Sequence, residues 1–261
     1  MAFHNKALTS VPIRFYRSTL LLFHLVAGIA IVALLFPFYG RARRRLAQAR
    51  WSARVLSTVN VEPRMRGVPP EVKDRAAVLV ANHVSWLDIP LVHSVWQVRF
   101  IAKSEVRRWP LIGWLSARTG TLFIQRGKGR HAVRINQAIH AAFLAGDAIG
   151  VFPEGMTSEG TGLQPFHASL LQSAVDEHAL VFPVALRYLD EEGRVNVNAS
   201  YVGDTSLIES MAMILRERKI VAELIFLPAI DAEGRSRRDL AREAHAAIAA
   251  ALSRRAKGSS D

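Results

Sequence analysis

Residues 18–39 form a run of 22 without Asp, Glu, Lys or Arg, close to the start of the chain. As an α-helix such a run reaches about 33 Å, the thickness of bilayer hydrocarbon. The stretch is therefore a membrane-segment candidate. It exceeds the apolar part of a secretory signal, about 7–15 residues, and passes into Arg41 without a small-residue cleavage pattern, so it reads as a retained membrane segment. Arg41, Arg43, Arg44, Arg45, Arg50 and Arg54 follow it, against Lys6, Arg14 and Arg17 before it. That bias places the bulk of the chain on the cytoplasmic face of the cell (inner) membrane. Leu46, Ala49, Ala53 and Leu56 recur at helical spacing among the arginines, the pattern of a basic amphipathic helix in the headgroup layer. Pro37 and Gly40 break the two helices apart. A true span with an outside N-terminus and a helical hairpin dipping into one leaflet both satisfy this pattern.

The formal charge of +12 on a chain that is 50% hydrophobic points to anionic membrane lipid as a partner. Nucleic acid is not expected, because the basic runs lack interleaved aromatic residues. There is no cysteine, which removes disulfides, thiolate nucleophiles and cysteine-ligated metal sites together.

After the Pro-Pro pair of a linker at 68–74, apolar β-rich runs fall at 76–81, 98–102, 120–124, 148–152, 180–186, 195–202 and 220–227, with helical patterns between several of them. The alternation predicts an α/β fold with a largely parallel sheet flanked by helices, carried on the N-terminal membrane-embedded helical segment. The clearest helix covers 132–145 and ends at Gly146; a last one covers 236–254. The expected division is 1–67 for the membrane and basic helices, 68–255 for the α/β domain and 256–261 for a polar tail.

In such sheets ligands bind beyond the carboxyl ends of strands. There the sequence places V-A-N-H-V-S-W-L-D-I-P, residues 80–90, with His83 and Asp88 five positions apart. On one continuous helix such positions point about 140° away from each other, so the two side chains meet only if a helix begins between them. Ser85 is a good N-cap, putting Asp88 at the third helical position and His83 in the preceding turn. Asp88 then orients the imidazole, whose other nitrogen accepts a proton from a substrate hydroxyl. The same residues also read as a capping box beside a polar loop histidine. A Ser85 nucleophile finds no support, since the chain has no G-x-S-x-G elbow.

Three later segments also follow strands. Arg126, with Lys128 and Arg130, forms a cation cluster suited to phosphate, or a solvated basic loop. Glu154 lies between Pro153 and Gly155 in a sharp turn, placed for substrate hydroxyls or for Arg126, or simply a surface turn. Pro183 interrupts an apolar strand and predicts an edge or bulged strand lining a hydrophobic slot.

Taken in order, H-x4-D at His83 and Asp88, G-x-x-F-I-x-R ending at Arg126, F-P-E-G at 152–155 and V-x-P-V at 181–184 resemble the glycerolipid acyltransferase family typified by lysophosphatidic acid acyltransferases. The resemblance covers roughly 76–190, including Lys103-Ser-Glu105 and the segment from Trp109 to Trp114. It implies a glycerol-3-phosphate acyltransferase-like fold and a membrane-bound enzyme. Its reaction would move a fatty acyl group from acyl-CoA or acyl-carrier protein to a lysolipid hydroxyl, foremost 1-acylglycerol-3-phosphate, to give phosphatidic acid. His83 is then the general base and Asp88 its orienting partner. Arg126, Lys128, Glu154, Gly155, Thr157 and Ser158 bind substrate, with no metal and no cofactor beyond the acyl donor as co-substrate. Backbone N–H groups near Ser85 and Trp86 are the expected support for an oxyanion.

One departure from the family pattern matters. Where relatives commonly read E-G-T-R-S, this chain has Glu154-Gly-Met-Thr157-Ser158, so threonine stands where arginine would help bind phosphate. A lyso-ornithine lipid as acceptor fits that change. Two readings of other classes compete. Gly127-Lys-Gly129-Arg-His-Ala132 with Glu154 mimics a dinucleotide fingerprint, but polar Gln125 and Arg126 occupy the strand end. A non-catalytic basic lipid-binding protein would tolerate loss of His83.

Overall fold

The computed structural model of the chain describes residues 8–71, 75–124 and 129–254, the last without the side chains of 129–134. The expected polar tail at 256–261 lies outside the described residues. Helix α1 (Val11–Ala30) runs on through a π turn at Ile31–Leu35 and a 3-10 turn at Phe36–Phe38. The whole stretch is long and apolar enough to cross a membrane, with a window of mean hydropathy 2.6. Helix α2 (Arg41–Thr58) starts after Gly40 and turns back along α1. The two lock where the Trp51 indole N–H donates to the His24 carbonyl at 2.8 Å. Gly28 makes that approach possible, since a Cβ there would sit 2.7 Å from the indole nitrogen.

Both ends of this pair rest on the α/β part. The Thr9 amide and hydroxyl donate to the carbonyls of Arg216 and Glu217 at 2.9 and 2.8 Å. Arg41 and Arg45 each reach the Asp147 carboxylate at 2.7 Å.

Strand β1 (Val61–Arg66) follows, then β2 (Ala77–Ala81), α3 (Asp88–His93) and β3 (Val98–Lys103). A 3-10 turn at Ser104–Arg108 leads to α4 (Ile112–Arg118), β4 (Leu122–Ile124), α5 (Gly129–Leu144) and β5 (Ala148–Val151). The rest is α6 (Gln172–Asp176), β6 (Leu180–Leu189), α7 (Leu207–Arg216), β7 (Ile220–Phe226), β8 (Ile230–Asp231) and α8 (Arg237–Ser253).

The sheet order is β1-β7-β6-β2-β5-β3-β4, with β8 on β6. All pairs are parallel except β6 with β7 and β8. Strand β2 is buried along its whole length because helices cover both faces. Its alternation sends Leu79 and Ala81 into one core with α2, α3 and α7, and Val78 and Val80 into another with α5 and α8.

Three expectations change. The sheet begins earlier than residue 68, because β1 pairs in parallel with β7 over Val61–Arg66. Its Glu, Pro and Arg residues hid it, yet they suit an edge strand. Pro183 is not at an edge: β6 lies between β7 and β2, and Pro183 sits where the partner on one side changes from β8 to β7. The ladder is interrupted there, so a missing N–H is tolerated. The strand expected at 195–202 is instead a 3-10 turn, Val197–Ala199. Asn196 and Asn198 turn the backbone locally and send their amides to the Glu217 carboxylate at 2.9 and 2.8 Å.

Leu56 of α2 is fully buried in the sheet core, so the basic helix belongs to the same cooperative unit as β1 and β7. Leu56→Ala is expected to lower unfolding free energy by roughly 2–5 kcal/mol, read from denaturant midpoints. An unchanged midpoint would detach α2 from the domain.

Candidate active site

Beyond the end of β2 the chain is held in place by a side-chain clasp. Asn82 is buried; its Nδ2 donates to the Leu186 carbonyl at 2.9 Å and its Oδ1 accepts from the Leu186 amide at 2.7 Å. This imitates one more ladder step against β6 and presents His83 immediately after it.

His83 and Asp88 meet as the spacing requires. His83 Nδ1 lies 2.6 Å from Asp88 Oδ2, and the carboxylate is fully buried while about a fifth of the imidazole, 21%, is exposed. The same Oδ2 accepts from the amides of Val84 and Ser85 at 2.8 and 3.0 Å, and Oδ1 accepts from the Tyr188 hydroxyl at 2.6 Å. A carboxylate surrounded by donors takes the Nδ1 proton as acceptor, leaving Nε2 with a lone pair.

The local build differs from the Ser85 cap. Helix α3 begins at Asp88 itself, after a turn closed by the Asp88 amide on the Ser85 carbonyl at 3.1 Å. The Ser85 hydroxyl is buried without a hydrogen-bond partner among the described residues. Asp88 caps the turn from behind, using both amides for itself. The Ser85 N–H is thereby committed to Asp88 and is not an oxyanion donor, contrary to expectation.

Glu154 is buried, and its two oxygens accept from the amides of His83 and Gln164 at 2.6 and 3.0 Å. It braces the histidine turn rather than opening toward a ligand. Burial pushes its carboxyl above the usual glutamate range, opposed by the His83 and Gln164 hydrogen bonds. Gly155 closes the Phe152–Gly155 turn at φ 72°, a left-handed conformation that favours glycine. Ser158 donates its amide to the His83 carbonyl at 2.8 Å, and the Thr157 hydroxyl donates to the Tyr201 carbonyl. Glu154 and Ser158 thus hold both backbone polar groups of His83. Arg126, Lys128 and the side chain of Arg130 lie outside the described residues, as does the suggested Arg126–Glu154 pair.

The imidazole stacks on Phe152 at 4.0 Å and 7°, and Phe152 on Phe100 at 5.0 Å and 7°. Phe100 in turn meets His93. This second histidine is buried, between Gln48 of α2 and the Val98 carbonyl, both 3.0 Å away. Burial pushes its pKa down to about 4 against the Val98 hydrogen bond. His93 is a neutral packing residue, and His83 is the histidine with an accessible face.

That face lies on a cavity of about 1070 Å³. Leu25 of α1, Val32 of the π turn, Trp51 of α2, Leu115 of α4 and Met211 of α7 line it, with Lys103 and the Gly155–Thr157 turn at its wall. Two residues of this site escaped the sequence reading. Asn82 was readable as a polar residue ending a fully apolar run. Tyr188 carried a fainter signal, a lone hydroxyl in an apolar strand.

A family model described as Acyltransferase matches residues 58–187. The lyso-ornithine lipid O-acyltransferase of Pseudomonas aeruginosa is 38% identical over 210 residues, 80% of this chain and 79% of that protein. The 1-acyl-sn-glycerol-3-phosphate acyltransferase of Neisseria gonorrhoeae is 39% identical over 166 residues, 64% of this chain and 65% of its own length. The crystal structure of the 1-acyl-sn-glycerophosphate (LPA) acyltransferase PlsC from Thermotoga maritima shares the fold, with TM-score 0.65 and 22% identity over 92% of this chain and 96% of that one.

Tyr188→Phe is expected to lower kcat about tenfold with KM unchanged, since it removes one hydrogen bond to a charged group worth roughly 1.5 kcal/mol. Equal kcat values for the two proteins would show that Tyr188 contributes packing alone. His93 gives stability a pH signature. Held neutral when folded and free to charge when unfolded, it confers stability that is complete above about pH 6.5 and is lost as pH falls toward about 4, roughly 3 kcal/mol in all. The stability gap between the native chain and His93→Gln should shrink across that window in denaturant titrations; a constant gap would contradict this.

Proposed function

Because the chain belongs to the acyltransferase family, we propose that it moves a fatty acyl group from the thioester of acyl-CoA or acyl-carrier protein to a lysolipid hydroxyl, with 1-acylglycerol-3-phosphate as the acceptor and no cofactor. The observation that carries this reading is His83, bonded through Nδ1 to buried Asp88 and facing a large apolar cavity with its other edge. His83 Nε2 removes the acceptor's hydroxyl proton as the oxygen attacks the thioester carbonyl. Collapse of the tetrahedral intermediate breaks the C–S bond, and the proton passes from His83 to the leaving thiolate. The products are an ester and a free thiol. General base catalysis of this kind contributes about 10²–10⁴ in rate.

The cavity supports a lipid substrate, because its lining side chains are mostly apolar. Lys103 on its wall, with Arg126 and Lys128 in the sequence, suits a phosphate monoester. The return of both ends of the α1–α2 pair to the α/β domain favours a hairpin seated in the cytoplasmic leaflet of the inner membrane over a single span. A second reading, lyso-ornithine lipid as acceptor, is favoured by Thr157, whose hydroxyl bonds the Tyr201 carbonyl where a cation would face the head group. The name of the Pseudomonas aeruginosa relative points the same way.

The test is a side-by-side assay of purified protein with lysophosphatidic acid and lyso-ornithine lipid and one labelled acyl donor. Faster transfer to the phosphate-bearing acceptor is expected, with a loss of at least about 10²-fold in His83→Ala. Preference for lyso-ornithine lipid would replace the acceptor, and full activity in His83→Ala would overturn the mechanism.

A further inference from the structure

The segment between β3 and β4 presents an apolar tip to solvent. At Leu111 the backbone adopts φ 59° and ψ −53°, a tight turn closed by the Ile112 amide on the Pro110 carbonyl at 2.6 Å. This three-residue turn is rare and strained for a residue with a side chain. Strain of this kind clusters at functional positions, and here it holds Leu111 out to solvent, 56% exposed. Trp109 and Trp114 beside it are each more than a third exposed, and Arg107, Arg108 and Arg118 flank them, Arg118 lying over the Trp114 ring at 5.7 Å.

Trp109 and Ile112 line the same cavity as Phe15 and Leu22 of α1, which are themselves largely exposed. The apolar surface is thus continuous around one cavity and edged by guanidinium groups. Tryptophan and arginine about an exposed leucine match the interfacial zone of an anionic bilayer, where indoles sit at headgroup depth and basic side chains meet phosphates.

We propose that residues 107–118 are a second membrane contact, inserting Leu111 beneath anionic headgroups while Arg107, Arg108 and Arg118 bind the phosphates. The bilayer then covers the cavity rim, and the lysolipid reaches His83 sideways without crossing water. The idea rests on the membrane-associated reading above and extends it from the hairpin to the catalytic domain.

The absence of cysteine makes the test direct. Single Leu111→Cys, Phe23→Cys and Arg242→Cys variants, each with an environment-sensitive fluorophore, are mixed with vesicles of phosphatidylcholine alone, of phosphatidylcholine with phosphatidylglycerol, and of the latter with nitroxide-labelled lipid. The Leu111 and Phe23 probes are expected to shift to the blue and be quenched on anionic vesicles, while the Arg242 probe on α8 stays in water. An Arg107→Gln, Arg108→Gln double variant should bind those vesicles about thirtyfold more weakly, from about 1 kcal/mol per basic residue. A Leu111 probe that stays in water while the Phe23 probe inserts overturns the second contact and leaves the hairpin in place. Failure of both to insert overturns the membrane reading itself. A Leu111 probe that responds only to acidic acyl-carrier protein reassigns the surface to a protein partner and sinks the proposal.

Discussion

Four donors converge on the fully buried Asp88 carboxylate, from the histidine ring, two amides of the adjoining turn and a tyrosine a hundred residues away on β6. Removing a carboxylate from water is costly unless it is fully hydrogen-bonded, so each donor constrains the others. The turn after β2 cannot relax without uncovering Asp88, and β6 cannot shift without losing the Tyr188 contact. His83 inherits its position from this arrangement. Glu154 repeats the device from the next strand by accepting the His83 amide, and Ser158 occupies the His83 carbonyl.

The apolar side is built by other means. Helices α1 and α2 form a pair anchored at both ends to the α/β domain, and together with α4 and α7 they enclose the apolar cavity on which His83 opens. The stack of His83, Phe152 and Phe100, continued by the tilted His93 ring and its contact with Gln48, carries packing from His83 to α2. Polar chemistry thus comes from strand ends and apolar volume from the helices.

What could be read beforehand was local. Apolar runs separated by helical periodicity predicted the parallel α/β layout, and the five-residue spacing of His83 and Asp88 required a helix start between them. The contacts that complete the site span long stretches of chain: Asn82 to Leu186, Tyr188 to Asp88 and Glu154 to His83 leave no periodic trace in sequence. Strand β1 was hidden because an edge strand tolerates the charges and proline that disguise it. The 195–202 run looked like a strand because its apolar residues alternate, whereas its asparagines find a better partner in Glu217. Ser85 looked like a cap because it stands three residues before Asp88, but the Asp88 amide closes on the Ser85 carbonyl and the Asp88 carboxylate takes the Val84 and Ser85 amides.

The central claim is that buried Asp88 fixes His83 as the tautomer protonated at Nδ1, with Nε2 free to act as base. Nitrogen-15 NMR of the histidine side chains above neutral pH tests it most directly. The account predicts a protonated Nδ1 and a bare Nε2 for His83, with that preference lost in Asp88→Asn. A His83 protonated at Nε2, or a spectrum unaltered by the substitution, would contradict it.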